Sequence, residues 1–331
     1  MIDISHLTKR YGDHTAVSDL SLNIESGKIY GFLGPNGAGK STTMNIITGY
    51  IAATEGTVKI DGFDILKQPE EARKCVGYLP ELPPLYMDMT VEEYLKFVAD
   101  LKKIPKQEKR QSIAEVMELT KIADVKNRLI RNLSKGYRQR TGFAQAVLGY
   151  PKVIILDEPT VGLDPKQIIE IRELIQSLGK KHTVILSSHI LSEVREVCEH
   201  IFILSKGRLV ASDTTEHLIH KMSGDSQVSL LLKGEKGAVE NVLNQAELGE
   251  YTFAENSESG CCRVVVKAQK KADIREQAFY AFADAKIPIL EMGTSGRSLE
   301  EVFLELTNQD AAEAESGLGT SEETEERKEA E

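Results

Sequence analysis

The stretch that decides the fold is IYGFLGPNGAGKSTTMNIITG, residues 29–49. It reads as a short buried strand, a glycine-rich turn and an apolar helix. Residues Gly34 to Ser41 match the pattern G-x-x-x-x-G-K-[ST], in which backbone N–H groups turn inward around phosphate oxygens. The spacing of Gly34, Gly37 and Gly39 does not match the G-x-G-x-x-G pattern of dinucleotide-binding proteins. The stretch therefore predicts a phosphate-binding loop.

Two side chains of this loop carry the chemistry of the predicted site. Lys40 is placed to reach the β- and γ-phosphates of a nucleotide, and the hydroxyl of Ser41 is a candidate ligand for Mg²⁺. The helix N-terminus adds partial positive charge, which favours an anion. A chance glycine turn is the alternative, and the strand before the loop and the helix after it argue against it. The candidate nucleotide-binding residues of the loop are Gly34, Pro35, Asn36, Gly37, Ala38, Gly39, Lys40, Ser41 and Thr42.

A second apolar run, VIILDEPT at residues 153–160, ends in two acids. Because α/β sheets place their ligands at the carboxyl ends of strands, Asp157 is a candidate Mg²⁺ ligand. Glu158 is the candidate that polarises a water for attack on the γ-phosphate. Acids after a strand can also cap the next helix, and this alternative stays open for Asp164, which directly precedes Pro165.

Buried strands alternate with helices in two separate parts of the chain. Residues 1–81 and 151–211 both show this alternation, which predicts one core with a mostly parallel sheet and helices on its faces. The last strand of the pattern is IFILSKGRLV, residues 201–210. The sequence therefore predicts an α/β fold of the P-loop type.

Residues 82–150 interrupt this alternation with helices. The segments TVEEYLKFVADL and KRQSIAEVMELTKI carry apolar residues at helical spacing. Thr90 and Glu93 have the spacing of a capping box, which predicts a helix that begins after Thr90. We therefore expect a helical subdomain inserted into a domain that spans residues 1–215.

The chain from residue 227 onwards predicts a second, smaller domain. Residues 227–307 read as strand, helix, strand, strand, helix, strand and helix, which is typical of a small α+β domain of the split βαβ kind. Its last helix begins with a capping box formed by Ser298 and Glu301. Residues 309–331 hold nine acidic and two basic residues and no aromatic, so we expect an acidic disordered tail.

Charge and composition argue against several classes of protein. The formal net charge is −10, but most of this excess lies in the acidic tail, and the near-neutral body offers no footprint for direct nucleic acid binding. No stretch approaches the roughly 18 apolar residues of a membrane span, and the N-terminus lacks an apolar signal region, so we expect the chain to stay in the cytoplasm. The four cysteines lack the spacing of a zinc site and indicate reduced thiols.

A third motif, LSKGYRQR at residues 133–140, stands between the first two. With the loop and VIILDEPT, it makes the chain resemble the ATP-binding subunits of ABC transporters, whose signature sequence is usually written LSGGQ. In that family two subunits meet head to tail, and each ATP lies between the phosphate loop of one and the signature of the other. The resemblance implies a homodimer in which Ser134 and Gly136 face the γ-phosphate of the partner chain's ATP.

Three further residues match motifs of this family one position at a time. His189, in VILSSH, matches the switch histidine that contacts the γ-phosphate, whereas a lone histidine after a strand is more often structural. Asp164, in VGLD, matches the loop that crosses the dimer interface. Tyr11, in KRYGD, matches the aromatic residue that stacks on adenine, and a core or turn tyrosine is the alternative. The resemblance covers about residues 1–215 and implies ATP and Mg²⁺ as cofactors.

The chain departs from the family pattern at three positions. Lys135 and Tyr137 replace the usual glycine and glutamine of the signature. Glu81, in GYLPELPPLY, stands where the family has a glutamine, and its carboxylate is still an oxygen ligand for a metal. With SLEEVFLELT near the C-terminus, these features resemble the subgroup with ABC-2-type membrane partners, which implies export.

The resemblance implies an ATP-hydrolysing motor that drives a separate transmembrane permease through ATP-dependent dimer closure. Such a subunit lies on the inner face of the cell membrane, held there by the permease. A soluble ABC-family ATPase acting on ribosomes or DNA is an alternative, but that class usually carries two ATPase halves or a long coiled coil. A regulatory module without ATPase activity is a third, and the intact Lys40, Asp157, Glu158 and His189 argue against it.

Overall fold

The described residues of the computed structural model fall into two compact units. One is built from residues up to 215 and the other from described residues between 227 and 294. The described ranges are 2–215, 217–218, 227–254, 260–267 and 274–294. The helix predicted to begin after Ser298 and the predicted acidic tail 309–331 lie outside them.

The first unit contains ten strands and seven α-helices among its described residues. The strands are β1 (Ile2–Tyr11), β2 (His14–Ile24), β3 (Ile29–Leu33), β4 (Glu55–Ile60), β5 (Phe63–Asp64), β6 (Val76–Leu79), β7 (Val153–Asp157), β8 (Thr183–Ser188), β9 (His200–Ser205) and β10 (Arg208–Thr214). The helices are α1 (Lys40–Ile47), α2 (Pro69–Lys74), α3 (Val91–Leu101), α4 (Lys106–Leu119), α5 (Lys135–Val147), α6 (Pro165–Gly179) and α7 (Leu191–Val197). Short 3₁₀ turns cover Ala123–Val125 and Ile130–Asn132.

A six-stranded sheet with the order β10-β9-β3-β8-β7-β6 forms the centre of this unit. All of its neighbouring strands are parallel except β9 and β10, which confirms the predicted mostly parallel sheet. Leu33 lies opposite Ser188, and Asp157 lies opposite Ser187. The carboxyl ends of β3, β7 and β8 therefore meet at one edge, where the segments after them can form a site.

A second, antiparallel sheet with the order β2-β1-β4-β5 covers one side of this core. Ile4 from this sheet, Met44 from α1 and Phe32 and Ile155 from the central sheet belong to one buried cluster. Helix α1 is thus held between two sheets. Its N-terminus, which follows the predicted phosphate loop, is fixed by packing along the rest of the helix.

The predicted helical subdomain begins with the expected capping box. The N–H of Glu93 donates to Thr90 Oγ1 at 3.3 Å, and the N–H of Thr90 donates to the Glu93 carboxylate at 2.8 Å. Helices α3, α4 and α5 follow, and Leu95 and Phe143 are fully buried among them. The prediction of a helix that begins after Thr90 is confirmed.

The segment 201–210 differs from the single strand predicted for it. It forms the hairpin of β9 and β10, and Lys206 and Gly207 occupy the turn with φ angles of 45° and 78°. Two consecutive positive φ angles are typical of a type I′ turn, which matches the twist of paired strands. The sequence Lys-Gly indicates this turn less strongly than Asn-Gly does. For this reason the pattern of residues 201–210 predicts one strand and not two.

The second unit contains β11 (Gln227–Lys233), α8 (Lys236–Gln245), β12 (Glu250–Ala254), β13 (Cys261–Lys267), α9 (Arg275–Asp284) and β14 (Ile289–Thr294). Its antiparallel sheet has the order β12-β13-β11-β14, in which β13 separates β11 from β12. This is the split βαβ arrangement. Leu230, Val264 and Phe282 are fully buried in its core.

The described residues contain no helix that is long and apolar enough to cross a bilayer. All four cysteines are free thiols. No group of three or more histidine, cysteine or acidic side chains that could hold a metal occurs within the described ranges.

Gly77 in β6 offers a direct test of the packing between the sheet and α5. A methyl group built on Gly77 lies 2.1 Å from the carbonyl oxygen of Ala146 and 2.9 Å from Cγ of Pro151. We expect Gly77→Ala to lower the free energy of unfolding by about 2–3 kcal/mol, because backbone atoms must move. Thermal denaturation should show a melting temperature lower by roughly 5–10 °C.

Gly237 provides the matched control for adding a methyl group to a glycine. It lies in the first turn of α8, and a methyl group there meets no atom within 4 Å. Gly237→Ala should leave stability unchanged or raise it by up to about 1 kcal/mol. A Gly77→Ala protein as stable as the Gly237→Ala protein would contradict the close approach of α5 to β6.

Candidate active site

The predicted phosphate loop joins β3 to α1 with the backbone that its sequence requires. Gly39 has a φ of 94°, a left-handed conformation that side-chain-bearing residues rarely adopt. A methyl group there would also lie 2.6 Å from the carbonyl oxygen of Ala16. Helix α1 begins at Lys40, and the N–H groups of its first turn have no partner within the helix. The loop is therefore suited to an anion.

The Lys40 side chain is folded back over the loop. It is only 6% exposed, and its ammonium donates to the carbonyl oxygens of Gly34 at 2.7 Å and Pro35 at 3.1 Å. Burial lowers the pKa of Lys40, and the nearby carboxylates of Glu158 and Asp157 act in the opposite direction. The charged amine thus stands beside the loop that is predicted to receive phosphate.

Glu158 occupies a strained backbone position directly after β7. Its φ is 48°, unusual for a residue with a side chain, and its N–H donates to the carbonyl oxygen of Ser187 at 3.0 Å. Such strain is common where a side chain must be aimed for function. Glu158 is 8% exposed, and burial raises the pKa of its carboxyl group, while His189 and Lys40 oppose that rise.

The switch-histidine candidate meets the candidate base directly. His189 Nδ1 lies 2.9 Å from Glu158 Oε2, and Lys40 Nζ lies 3.9 Å from Glu158 Oε1. The His189 side chain is 42% exposed, so its ring stays accessible from solvent. A lysine, a carboxylate and an imidazole thus converge at the end of the phosphate loop.

The three metal-ligand candidates lie at the same end of the sheet. Ser41 Oγ donates to Asp157 Oδ1 at 3.4 Å. Glu81 is exposed and borders the same cleft as Ser41. Ser187, opposite Asp157 in the sheet, is fully buried, and its hydroxyl has no hydrogen-bond partner among the described residues. The edge near Asp157 therefore has oxygen ligands and unused hydrogen-bonding capacity.

One cleft of about 500 Å³ brings most of the candidates together. Its lining includes the predicted residues Tyr11, Asn36, Gly37, Ala38, Gly39, Lys40, Ser41, Thr42, Glu81, Glu158 and His189. Tyr11 is half-exposed, with the ammonium of Lys9 5.0 Å from its ring centroid. An exposed aromatic ring at the mouth of the cleft can stack on a planar base.

The signature candidates Ser134 and Gly136, and also Asp164, do not line the first cleft. Ser134 caps α5, where its Oγ accepts from the N–H of Tyr137 at 3.4 Å, and Asp164 caps α6, where it accepts from the N–H of Gln167 at 3.0 Å. Gly136 and Asp164 line a second cavity of about 660 Å³. A methyl group on Gly136 would lie 2.6 Å from the Gln167 side chain, so glycine allows the starts of α5 and α6 to approach.

Two departures from the usual signature have their own contacts here. The Tyr137 hydroxyl donates to Asp124 Oδ2 at 2.9 Å, so this side chain is held by the segment between α4 and α5. The side chain of Lys135 lies against Gly162, where a methyl group would be 2.0 Å from the ammonium nitrogen. Lys135 thus connects the start of α5 with the loop that leads to Asp164.

Sequence reasoning missed several residues of this region. His14, Ala16 and Val161 line the first cleft, and only their position in the fold reveals this. The buried Gln139 was also missed, although its Nε2 donates to the carbonyl oxygen of Pro159 at 3.0 Å. In the sequence, Gln139 stands four residues before Phe143 and therefore lies on the same face of the predicted helix. A glutamine at such a position is also typical of the exposed side of a helix, so the sequence does not indicate that it is buried.

Glu193 is the most informative omission. It is 3% exposed and accepts hydrogen bonds from Thr160 Oγ1 at 2.7 Å and from Ser188 Oγ at 3.1 Å. Thr160 closes the run VIILDEPT, and Ser188 directly precedes His189. In the sequence, an acid in the first turn of a short helix indicates only a favourable charge near its N-terminus.

Comparison with known proteins agrees with this geometry. The family model described as ABC transporter matches residues 17–161. The bacitracin transport ATP-binding protein BcrA of Bacillus licheniformis is 35% identical over 92% of this chain and 97% of its own. The linearmycin resistance ATP-binding protein LnrL of Bacillus subtilis is 29% identical over 93% of this chain and 98% of its own. A dimeric structure of the ATP-binding cassette MJ0796 in a post-hydrolysis state with ADP and phosphate has a TM-score of 0.59, at 27% identity over 65% of this chain and 98% of the cassette.

The chain therefore belongs to the ATP-binding proteins of ABC transporters. The predicted P-loop ATPase fold, the predicted ATPase activity and the predicted role as the motor of a transporter are confirmed. The alternative of an ABC-family ATPase with a non-transport partner is not favoured. The roles of individual residues stay predictions.

Proposed function

We propose that this chain powers export through a separate transmembrane permease of the ABC-2 type. The observation that carries the motor itself is the convergence of Lys40, Glu158 and His189 at the end of a phosphate loop. The names of two relatives, for bacitracin transport and linearmycin resistance, support export. A permease partner implies a position on the inner face of the cell membrane.

The residues of the cleft suit a phosphoryl transfer to water. The N–H groups at the start of α1 and the ammonium of Lys40 stabilise negative charge on the terminal phosphates. Glu158 accepts a proton from the attacking water, because its carboxylate stands beside the loop and burial raises its pKa. His189 holds the carboxylate in place through its 2.9 Å contact. Tyr11 stacks on the adenine.

Mg²⁺ fits the oxygen ligands at this site. Ser41 and Asp157 would hold it, with Glu81 from the lining of the same cleft, and the unpaired hydroxyl of Ser187 can support that shell. Mg²⁺ uses few protein ligands beside phosphate oxygens, which agrees with the absence of a dense ligand cluster among the described residues. When bound, the ion neutralises charge on the phosphates.

Metal removal tests this assignment. We expect ATP hydrolysis to fall to background in excess EDTA and to return when Mg²⁺ is restored, because the hydroxyl and carboxylate ligands need a hard cation. Asp157→Asn should require a higher Mg²⁺ concentration for half-maximal activity. Hydrolysis that persists in EDTA, or an unchanged Mg²⁺ requirement in Asp157→Asn, would contradict the assignment.

Each ATP site is proposed to be shared by two copies of the chain. Ser134 and Gly136 line no part of the first cleft, yet Ser134 caps a helix whose N-terminus suits an anion. A head-to-tail homodimer would bring this helix start to the partner's phosphate loop. The dimeric MJ0796 cassette, with 98% of its length covered, supports this arrangement.

Co-purification tests the transport partner. The gene should be tagged at its native chromosomal locus with a small affinity tag, so that neighbouring genes are expressed with it. The protein is then extracted in mild detergent and purified through the tag. We expect a protein with several apolar spans to copurify and to stimulate ATP hydrolysis. Recovery of a ribosomal or other soluble partner instead would overturn the proposal of export.

A further inference from the structure

A buried carboxylate joins the two segments that carry Glu158 and His189. Glu193 is 3% exposed, and its Oε2 accepts from Thr160 Oγ1 at 2.7 Å and from Ser188 Oγ at 3.1 Å. The two hydroxyl-bearing residues are as well buried as the acid, at 4% and 0% exposure. The three side chains form a network closed to solvent.

The two hydroxyl-bearing residues of this network are close in sequence to the base and to the histidine. Thr160 follows Glu158 by two residues, and Ser188 immediately precedes His189. Ser188 Oγ also accepts from the N–H of Ile190 at 3.0 Å, which fixes the turn that carries His189. A single oxygen of Glu193 therefore sets the separation of two segments whose side chains meet at 2.9 Å.

Stability alone does not explain a carboxylate at this position. The other buried residues of α7 are Leu191, Val194 and Val197, so Glu193 is the one acid on an otherwise apolar face. Burial of an acid is costly unless it is hydrogen-bonded, and an apolar residue of similar size is often at least as stabilising.

We propose that Glu193 is a positioning residue for ATP hydrolysis, which holds His189 against Glu158 by anchoring Ser188 and Thr160. The inference rests on the proposed roles of Glu158 and His189. Glu193 is buried and lines no part of the first cleft. Glu193 therefore affects the rate of the chemical step. The phosphate loop and Tyr11 bind ATP without it.

Thr160 gives the cleanest single test, because its hydroxyl can be removed without a change of shape. Thr160→Val should lower kcat by between about 10-fold and 100-fold, since a misplacement of about 1 Å at a reacting centre has an effect of this size. KM for ATP and the affinity for a fluorescent ATP analogue should change by less than about two-fold. Thr160→Ser keeps the hydroxyl and should recover most of kcat.

Thr120 supplies a control for the loss of a buried threonine hydroxyl. It is 1% exposed, and its Oγ1 donates to the carbonyl oxygen of Val116 at 2.7 Å, at the end of α4. Thr120→Val should lower the melting temperature about as much as Thr160→Val and leave kcat unchanged. The comparison separates a general loss of stability from an effect on the reaction.

A double variant tests whether Glu193 and Thr160 affect kcat through the hydrogen bond between them. Glu193→Met removes both hydrogen bonds, so Thr160→Val added to it should cause no further loss of kcat. Losses that multiply, full activity in Thr160→Val, or equal losses in Thr160→Val and Thr160→Ser would each overturn the proposal. If Glu193→Met does not fold, the two Thr160 variants and Thr120→Val still decide the question.

Glu158→Gln separates a failure of this inference from a failure of the proposed function. Normal turnover in Glu158→Gln removes the base from the mechanism and with it the reason for positioning His189. An inactive Glu158→Gln together with a fully active Thr160→Val rejects the role of Glu193 alone.

Discussion

Glu158→Gln is expected to bind MgATP as the unchanged protein does and to hydrolyse it at least about 100-fold more slowly. The amide fills the same space but does not accept a proton from the attacking water. The contacts of the loop and Lys40 with phosphate remain, so the affinity for a fluorescent ATP analogue should change little. ATP that is bound and not hydrolysed should hold two chains together, visible as a dimer by size-exclusion chromatography.

Glu250→Gln is the matched control for this exchange. Glu250 is an exposed residue of β12, so the same loss of charge occurs in a different unit from the one that contains the cleft. Its turnover and elution volume should match those of the unchanged protein. Wild-type turnover in Glu158→Gln would remove this carboxylate from the mechanism.

Two inactive variants are expected to restore activity to each other when mixed. Lys40→Ala removes the charge of the phosphate loop, and Ser134→Arg blocks the start of α5. If these residues of one chain serve different nucleotides, a mixed dimer has one site with both lesions and one site with none. About half of the dimers in an equal mixture are mixed, so activity should return to at most about a quarter of that of the unchanged protein.

A second pair of variants provides the control for mixing. Lys40→Ala and Glu158→Gln both damage the first cleft, so each site of their mixed dimer carries one lesion and activity should stay low. If the first pair, isolated as mixed dimers with two different tags, recovers nothing, either the two sites are coupled or the site is not shared. Cysteines introduced at Ser134 and near Lys40 in a cysteine-free chain distinguish these cases, because failure to cross-link with ATP present excludes the shared site.

The local parts of this site could be predicted from the sequence. The phosphate loop needs glycines at fixed places, and Gly39 indeed has a positive φ and lies close to the backbone of Ala16. The capping box of Thr90 and the buried run before Asp157 are equally local, because each depends on residues within one turn or one strand. Short-range geometry is visible in a pattern of residue types.

The contacts across the sheet could not be predicted in the same way. The 2.9 Å contact between Glu158 and His189 depends on the register of β7 and β8, in which Asp157 lies opposite Ser187. The role of Glu193 depends on the same register, because its partners Thr160 and Ser188 follow or end those two strands. Residues so far apart in sequence reveal their proximity only when the strands are paired.

Lys40 has one further consequence for nucleotide affinity. Its ammonium donates to the carbonyl oxygens of Gly34 and Pro35, so the backbone of the loop binds the cation of the same loop. An incoming phosphate competes with these carbonyls for the ammonium. The contribution of Lys40 to nucleotide affinity is therefore the difference in free energy between its hydrogen bonds to phosphate and its hydrogen bonds to the loop. At this lysine, binding of phosphate is therefore an exchange of one hydrogen-bond acceptor for another.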